Sequence, residues 1–165
     1  MSVKIWIETE HQPVYRAGGF AWLRHGAEGL SGAAGGFRDV DAEDLAARSL
    51  LSAVKGLPPG EAVALHLSEA RLIEGVRQLG ARRAAGWKDA EGAPLPAAET
   101  WEAVAKALAG RGLSLARTDR ADARKPASFC AAWAELGLDR AKSRGDVQNP
   151  IPRPNLAKVP GLPKG

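Results

Sequence analysis

Alternating and periodic apolar positions divide the first 142 residues into strands and helices. Residues 3–8 alternate at first and then become almost wholly apolar, which predicts a central strand. Residues 41–55 repeat apolar side chains at helical spacing, and Asp39 or Asp41 can cap the start of that helix. The other predicted elements are strands at 19–24, 28–31, 62–67 and 113–117, and helices at 69–79, 97–109 and 126–142.

Glycine and proline mark the predicted breaks between these elements. The small-residue stretch 32–36 is predicted as a turn, and residues 11–19 and 80–96 as loops or irregular structure. Five prolines follow Ser143, which argues against a packed helix or strand there. We therefore predict one domain over residues 1–142 and an extended or disordered, basic, proline-rich tail over residues 143–165.

Composition and charge restrict the class of protein. The chain has 165 residues, of which 45% are hydrophobic and 25% charged, as expected for one globular domain. Most of the net charge of +4 falls in the tail, so a basic isoelectric point alone is weak evidence for nucleic acid. A single cysteine, Cys130, excludes an internal disulfide framework, and no apolar run is long enough for a membrane span. The expected location is the cytoplasm.

Several short motifs occur along the chain in a fixed order. Residues 86–95 have the sequence GWKDAEGAPL, with Trp101 following, and closely resemble the G-W-K-x-x-x-G-x-P stretch of bacterial type 1 ribonucleases H. Residues 18–21 resemble the G-G-W-G motif of that family, residues 30–32 its L-S-G motif, and residues 43–47 the E-L-x-A-A that opens its first helix. The resemblance covers roughly residues 3–142.

The resemblance implies a fold and an activity. The fold would be α/β and ribonuclease H-like, with a five-stranded mixed sheet flanked by helices. Members of the family cleave the RNA strand of RNA–DNA hybrids at a two-metal site, usually with Mg²⁺, built from four carboxylates. Mg²⁺ needs several oxygen ligands, so each of the four positions can be compared with this chain.

The four carboxylate positions are only partly kept. Glu8 replaces the aspartate of the first strand, and Glu43 matches the helix glutamate, with Asp44 as a second register. Ser68 replaces the aspartate after the strand at 62–67, and Ala131 replaces the last one if Cys130 matches the family cysteine. Neither a serine hydroxyl nor a methyl group is a useful Mg²⁺ ligand. The loop at 117–122 also lacks the histidine that the family usually has there.

Three interpretations of the remaining acids stay open. Glu8 and Glu43 could share one weakly bound Mg²⁺ or Mn²⁺ ion, or form a polar pair whose pKa values rise by mutual repulsion. A rebuilt site could instead recruit Glu69, which follows Ser68 directly, or the acids Asp119 and Asp122 of the loop. No cofactor is expected beyond such a weakly bound ion.

Binding residues are predicted from the basic cluster near the G-W-K motif. Arg82, Arg83, Trp87 and Lys88 could contact phosphates, because phosphate contact needs little beyond positive charge. We therefore predict a catalytically inactive or impaired relative that binds RNA–DNA hybrid, DNA or RNA, or acts as a regulatory module. The alternatives are a Mg²⁺- or Mn²⁺-dependent endoribonuclease with a rebuilt site, and a module that binds a protein partner through residues 143–165.

Overall fold

Six strands form one mixed sheet in the computed structural model, which describes residues 2–162. They are β1 (Ser2–Gln12), β2 (Ala17–Gly26), β3 (Gly29–Arg38), β4 (Ala62–Leu67), β5 (Leu113–Arg117) and β6 (Val147–Pro150). The order across the sheet is β5-β4-β1-β2-β3-β6. β1 is antiparallel to β2 and parallel to β4, so the central strand joins a hairpin to a parallel unit.

In the described part of the chain, six helices connect or cover the strands. They are α1 (Ala42–Val54), α2 (Ala70–Arg77), α3 (Leu79–Ala84), α4 (Ala98–Leu108), α5 (Pro126–Arg144) and α6 (Arg153–Leu156), and a 3-10 turn at Pro13–Tyr15 links β1 to β2. Within residues 2–162, none of the helices combines the length and apolar character needed to cross a membrane.

One face of the sheet, here called the α1 face, packs against α1, α2 and α4. Its core consists of branched and aromatic side chains that alternate along the strands, such as Ile5, Ile7 and Leu65. The Asp41 side chain accepts a hydrogen bond from the Asp44 N–H and so caps α1. Of the two predicted caps, Asp39 and Asp41, the structure therefore has Asp41.

The opposite face, here called the α5 face, packs against α5 and the end of the chain. Its buried cluster consists of Trp6, Ala21, Leu23, Ala34, Cys130, Ala134, Ile151 and Leu156. Glycines bring the helix backbone directly onto the strands. A Cβ added to Gly19 would lie 1.9 Å from the Ala134 carbonyl oxygen, and one added to Gly137 would lie 1.9 Å from the Gly35 oxygen.

The α/β class is confirmed, but the five-strand prediction is wrong. The sixth strand, β6, lies in the segment predicted to carry no packed strand, and it pairs antiparallel with β3. The helix α6 follows it, and Ile151 and Leu156 are buried against the sheet. The prolines are tolerated because β6 is a short edge strand and because Pro152 and Pro154 lie at the start of the helical turn.

Two glycine-rich or polar segments also differ from prediction. Residues 32–36 are not a turn but part of β3, where glycines allow close approach of α5 and β6. The predicted loop at 11–19 is mostly strand, with only a short 3-10 turn. Glu69 caps α2, since its carboxylate accepts hydrogen bonds from the N–H groups of Arg71 and Leu72.

Candidate functional site

Glu8 lies in β1, one residue beyond the part of the strand that pairs with β4, and its side chain is on the α5 face. Its side chain is fully buried. The Ser68 hydroxyl, one residue past β4, lies 2.5 Å and 2.7 Å from the two Glu8 carboxylate oxygens and donates its proton to them. The sequence alignment placed these residues at neighbouring carboxylate positions, and the structure brings them into direct contact.

Arg120 holds the other side of the Glu8 carboxylate. Its guanidinium lies 3.6 Å from a Glu8 oxygen, donates to the Thr9 carbonyl at 3.1 Å, and pairs with Glu10. Burial raises the pKa of Glu8 to about 7, against the lowering effects of Ser68 and Arg120. The acidic neighbours that raise it further are Glu69 and Glu10. The shift therefore comes mainly from burial and not from repulsion by Glu43.

Glu43 lies in the first turn of α1 and has different partners. The Trp101 indole N–H donates to one carboxylate oxygen at 3.2 Å, and the Arg71 guanidinium lies 3.8 Å from the other. Arg71 is half-exposed, so this ion pair is partly screened by water. Each of the two remaining carboxylates thus has its own arginine and its own hydrogen-bond donor.

Ala131 follows Cys130 in α5 and offers only a methyl group. Cys130 is buried, and its pKa is raised by burial and by the charge of Glu8, which places this turn of α5 beside Glu8. Among residues 2–162 no three His, Cys, Asp or Glu side chains come together to hold a metal. The residues present therefore do not fit the two-metal site that the fold family implies.

The acids considered for a rebuilt site are engaged elsewhere. Glu69 caps α2, and Asp119 accepts the N–H of Ala121. Asp122 pairs with Arg124, whose guanidinium and N–H lower the pKa of that carboxyl to about 2. Glu69 is still close enough to Glu8 to raise its pKa, but within residues 2–162 these acids do not join Glu8 or Glu43 in a group of three that could hold a metal.

The predicted basic cluster lies at the end of α3 and in the segment after it. Glu102 of α4 accepts from the Trp87 indole at 2.6 Å and from Arg83 at 3.1 Å, and the pKa of its carboxyl is lowered mainly by Trp87. Within the described chain, Arg82 and Lys88 form no salt bridge. The structure therefore divides the cluster into a fixed pair, Arg83 and Trp87, and two cations without an acidic partner.

A cavity of about 540 Å³ lies at the opposite end of the sheet from Glu8. The β2–β3 turn and the loop from Gly56 to Glu61 form its walls. Arg24 fixes one wall by binding the last carbonyls of α1, and Arg111 fixes the other by binding carbonyls of Leu57, Pro58 and Glu61. These arginines cap and brace the backbone, and none of the predicted site residues reaches this cavity.

Known structures share this arrangement of strands and helices. A foamy viral protease-reverse transcriptase in complex with RNA/DNA hybrid superposes with a TM-score of 0.64 and 13% identity, over 83% of this chain and 20% of that one. The fold is ribonuclease H-like. LC9-RNase H1, a type 1 enzyme with the type 2 active-site motif, superposes with a TM-score of 0.62 and 17% identity, over 89% and 77% of the two chains.

A third similar structure is RNase H1 from the halophilic archaeon Halobacterium salinarum, with a TM-score of 0.58 and 16% identity, over 86% of this chain and all of that one. The chain spans about a fifth of the viral protein. No protein-family model and no curated protein matches the sequence. At these identities the likeness establishes the fold and leaves the activity to the side chains of the site.

Sequence reasoning missed the two arginines that bind the residual carboxylates. Arg120 lies in the loop where the family has a histidine, so a cation at that position was visible in the sequence. Arg71 and Trp101 gave no such signal, because their contacts with Glu43 join three separate helices. In the sequence Trp101 is only part of the motif that begins at Gly86. The structure shows that its indole N–H donates to the Glu43 carboxylate.

Proposed function

We propose that this chain is a ribonuclease H-like protein that binds nucleic acid without metal-dependent cleavage. The observation that carries the proposal is the pairing of each residual carboxylate with an arginine, Glu8 with Arg120 and Glu43 with Arg71. Divalent ions at a nuclease site are held by uncompensated negative charge. Here guanidinium groups already supply positive charge, and the remaining two positions are neutral.

The hydrogen bonds at Glu8 strengthen this argument. Both carboxylate oxygens accept from Ser68, and a metal ion would have to displace that hydroxyl and the Arg120 guanidinium. Burial also favours the protonated form of Glu8, which cannot ligate Mg²⁺. These features support loss of metal binding at the first position, independently of the alignment of α5.

Nucleic-acid binding is supported by the fold and by available cations. A similar viral protein has been solved with RNA/DNA hybrid and with double-stranded DNA. In this chain Arg82 is half-buried and Lys88 exposed, and both lie beside Trp87, so their charges can neutralise phosphates. A protein partner bound through residues 143–165 is less well supported, because Val147–Pro150 and Arg153–Leu156 pack on the domain itself.

The first test measures cleavage. We expect no cleavage of a labelled RNA–DNA hybrid with Mg²⁺ or Mn²⁺, since no complete ligand set is present. Robust cleavage that is abolished by Glu43→Gln would overturn the proposal in favour of a rebuilt nuclease.

The second test restores the missing carboxylates with and without the arginine. Ser68→Asp with Ala131→Asp should bind Mn²⁺ in calorimetry only weakly, and adding Arg120→Ala should increase the affinity by at least tenfold because a fixed positive charge is removed. Arg124→Ala, in the same loop, is the matched control and should change nothing. Equal affinities with and without Arg120 would refute its role in excluding metal.

The third test measures binding by fluorescence anisotropy in EDTA, with hybrid, duplex and single-stranded probes. Arg82→Ala with Lys88→Ala should weaken binding on the order of tenfold and reduce the salt dependence by about two counterions. Arg140→Ala, an exposed cation of α5, is the control. If no probe binds at low salt, nucleic-acid binding is excluded and only the fold remains.

A further inference from the structure

The two edges of the sheet differ in how well they are protected against pairing with a strand of another molecule. At one edge β6 is only four residues long and ends in Pro150, which has no N–H to offer. At the other edge β5 runs from Leu113 to Arg117 without proline, and it carries a single charge, at its last residue. Leu113 is 40% exposed, so this edge also presents an apolar side chain to water.

The outer side of β5 carries unused backbone groups. The Gly112 carbonyl accepts from Val63, and the Thr118 N–H donates to Leu67, so backbone groups of even-numbered residues face β4. Because strand residues alternate in direction, the N–H and C=O groups of Leu113, Leu115 and Arg117 face outward. Within residues 2–162 these outward groups have no hydrogen-bond partner in the protein.

We propose that β5 pairs with β5 of a second copy of this chain, antiparallel and with the two-fold axis at Leu115. In this register Leu115 lies opposite Leu115 of the second copy, and Leu113 lies opposite Arg117 of the second copy. All three pairs are of the hydrogen-bonded kind, so about six intermolecular bonds satisfy the outward groups of both strands. The proposal is independent of the proposed function.

Charge and shape favour a second copy in this register. No like charges meet across the axis, because Arg117 lies opposite Leu113, which its aliphatic stem can cover. On the α5 face the neighbouring side chains, Ser114 and Ala116, are small and exposed, so nothing bulky obstructs the approach of another strand.

The test is sedimentation velocity of the full chain over a wide concentration range. We expect the apparent mass to rise to twice the monomer value as concentration increases. Leu115→Pro should remain monomeric, because it removes an outward N–H while leaving the hydrogen bonds to β4. Leu113→Lys keeps every backbone donor and places a lysine opposite Arg117, so it should raise the dissociation constant at least tenfold even if the proline variant fails to fold.

Amide hydrogen exchange identifies the interface directly. Protection of the Leu113, Leu115 and Arg117 amides should rise with protein concentration, while the Ser114 and Ala116 amides, bonded to β4, should not change. A chain that stays monomeric up to about millimolar concentration overturns the proposal. So does a dimer whose formation leaves these three amides unprotected, or one that Leu113→Lys does not weaken.

Discussion

The two faces of the sheet are packed by different means. On the α1 face, side chains such as Leu50, Leu65 and Val104 interdigitate between helices and strands. On the α5 face, the helix backbone lies directly on strand backbone at glycines, as Gly137 does on Gly35. Side-chain packing can adjust to substitutions by changing rotamers, whereas backbone contact cannot, so we expect the α5 face to tolerate less change.

Three unusual buried groups also lie on the α5 face. Glu8 and Cys130 are buried there, and His66 stacks on Trp6 with a buried Nε2 atom that has no hydrogen-bond partner in the described chain. The comparison therefore places these buried polar groups on the face where helix and strand backbones are in direct contact.

The largest expected effect is on the α5 face, from removal of residues 145–165. This truncation deletes β6 and α6 and exposes the apolar surface that Ile151 and Leu156 cover. We therefore expect a loss of about 3–6 kcal/mol in the free energy of unfolding. Urea denaturation measures it. Ile151→Ala alone should cost about 2–4 kcal/mol, and an unchanged midpoint in both variants would show that the end of the chain contributes nothing to this core.

The next effect is a pH dependence of stability that comes from Glu8 on the α5 face. The pKa of Glu8 is about 7 in the folded protein and 4.5 ordinarily, so its contribution to stability is complete below about pH 4.5. That contribution is lost as the pH rises through 7, and amounts to about 3 kcal/mol.

Glu8→Gln keeps a group that can accept from Ser68 and removes the titration. We expect the variant to be more stable than wild type at pH 8, with the difference shrinking toward pH 4.5. Chemical denaturation at several pH values provides the measurement. Parallel stability curves for the two proteins would contradict the burial of an ionisable Glu8.

The smallest effect compares single glycines. Gly137→Ala adds a methyl group 1.9 Å from the Gly35 oxygen, and should cost about 1–3 kcal/mol because backbone must move. Gly80→Ala is the matched control, since it lies in α3 with open space around it and should stabilise by up to about 1 kcal/mol. Equal thermal midpoints for the two variants would refute close backbone packing at α5.

The apolar pattern predicted most of the helices and strands within a few residues. The helices α1 and α4 and the strand β4 have apolar patterns that match one buried face, and the nearly continuous apolar run of β1 matches a central strand buried on both faces. The glycine-rich half of β3 was missed because glycine has little strand propensity, and only its packing against α5 explains its place there. The strand β6 was missed because it depends on the exposed edge of β3, which is a tertiary feature.

The places of the candidate residues in the fold could be predicted, whereas their joint function stays a prediction. The resemblance placed Glu8 in the first strand, Glu43 in the first helix and Ser68 after β4, where the structure also has them. The contact between Glu8 and Ser68 follows from parallel pairing of β1 with β4. The arginine partners could not be derived, since ion pairs between distant segments leave no periodic signal. Whether Ala131 occupies the fourth carboxylate position stays a prediction, as does the role of Arg82 and Lys88.

Cys130 gives the protein an internal reporter of its own opening. Its thiol is buried among the residues of the α5 face, and burial raises its pKa, so it should be inert toward alkylating reagents while that face is closed. Since the thiol shares its cluster with Ile151 and Leu156, detachment of the chain end would expose it before the α1 face unfolds. The labelling rate of one native cysteine would then measure how often this half of the molecule opens.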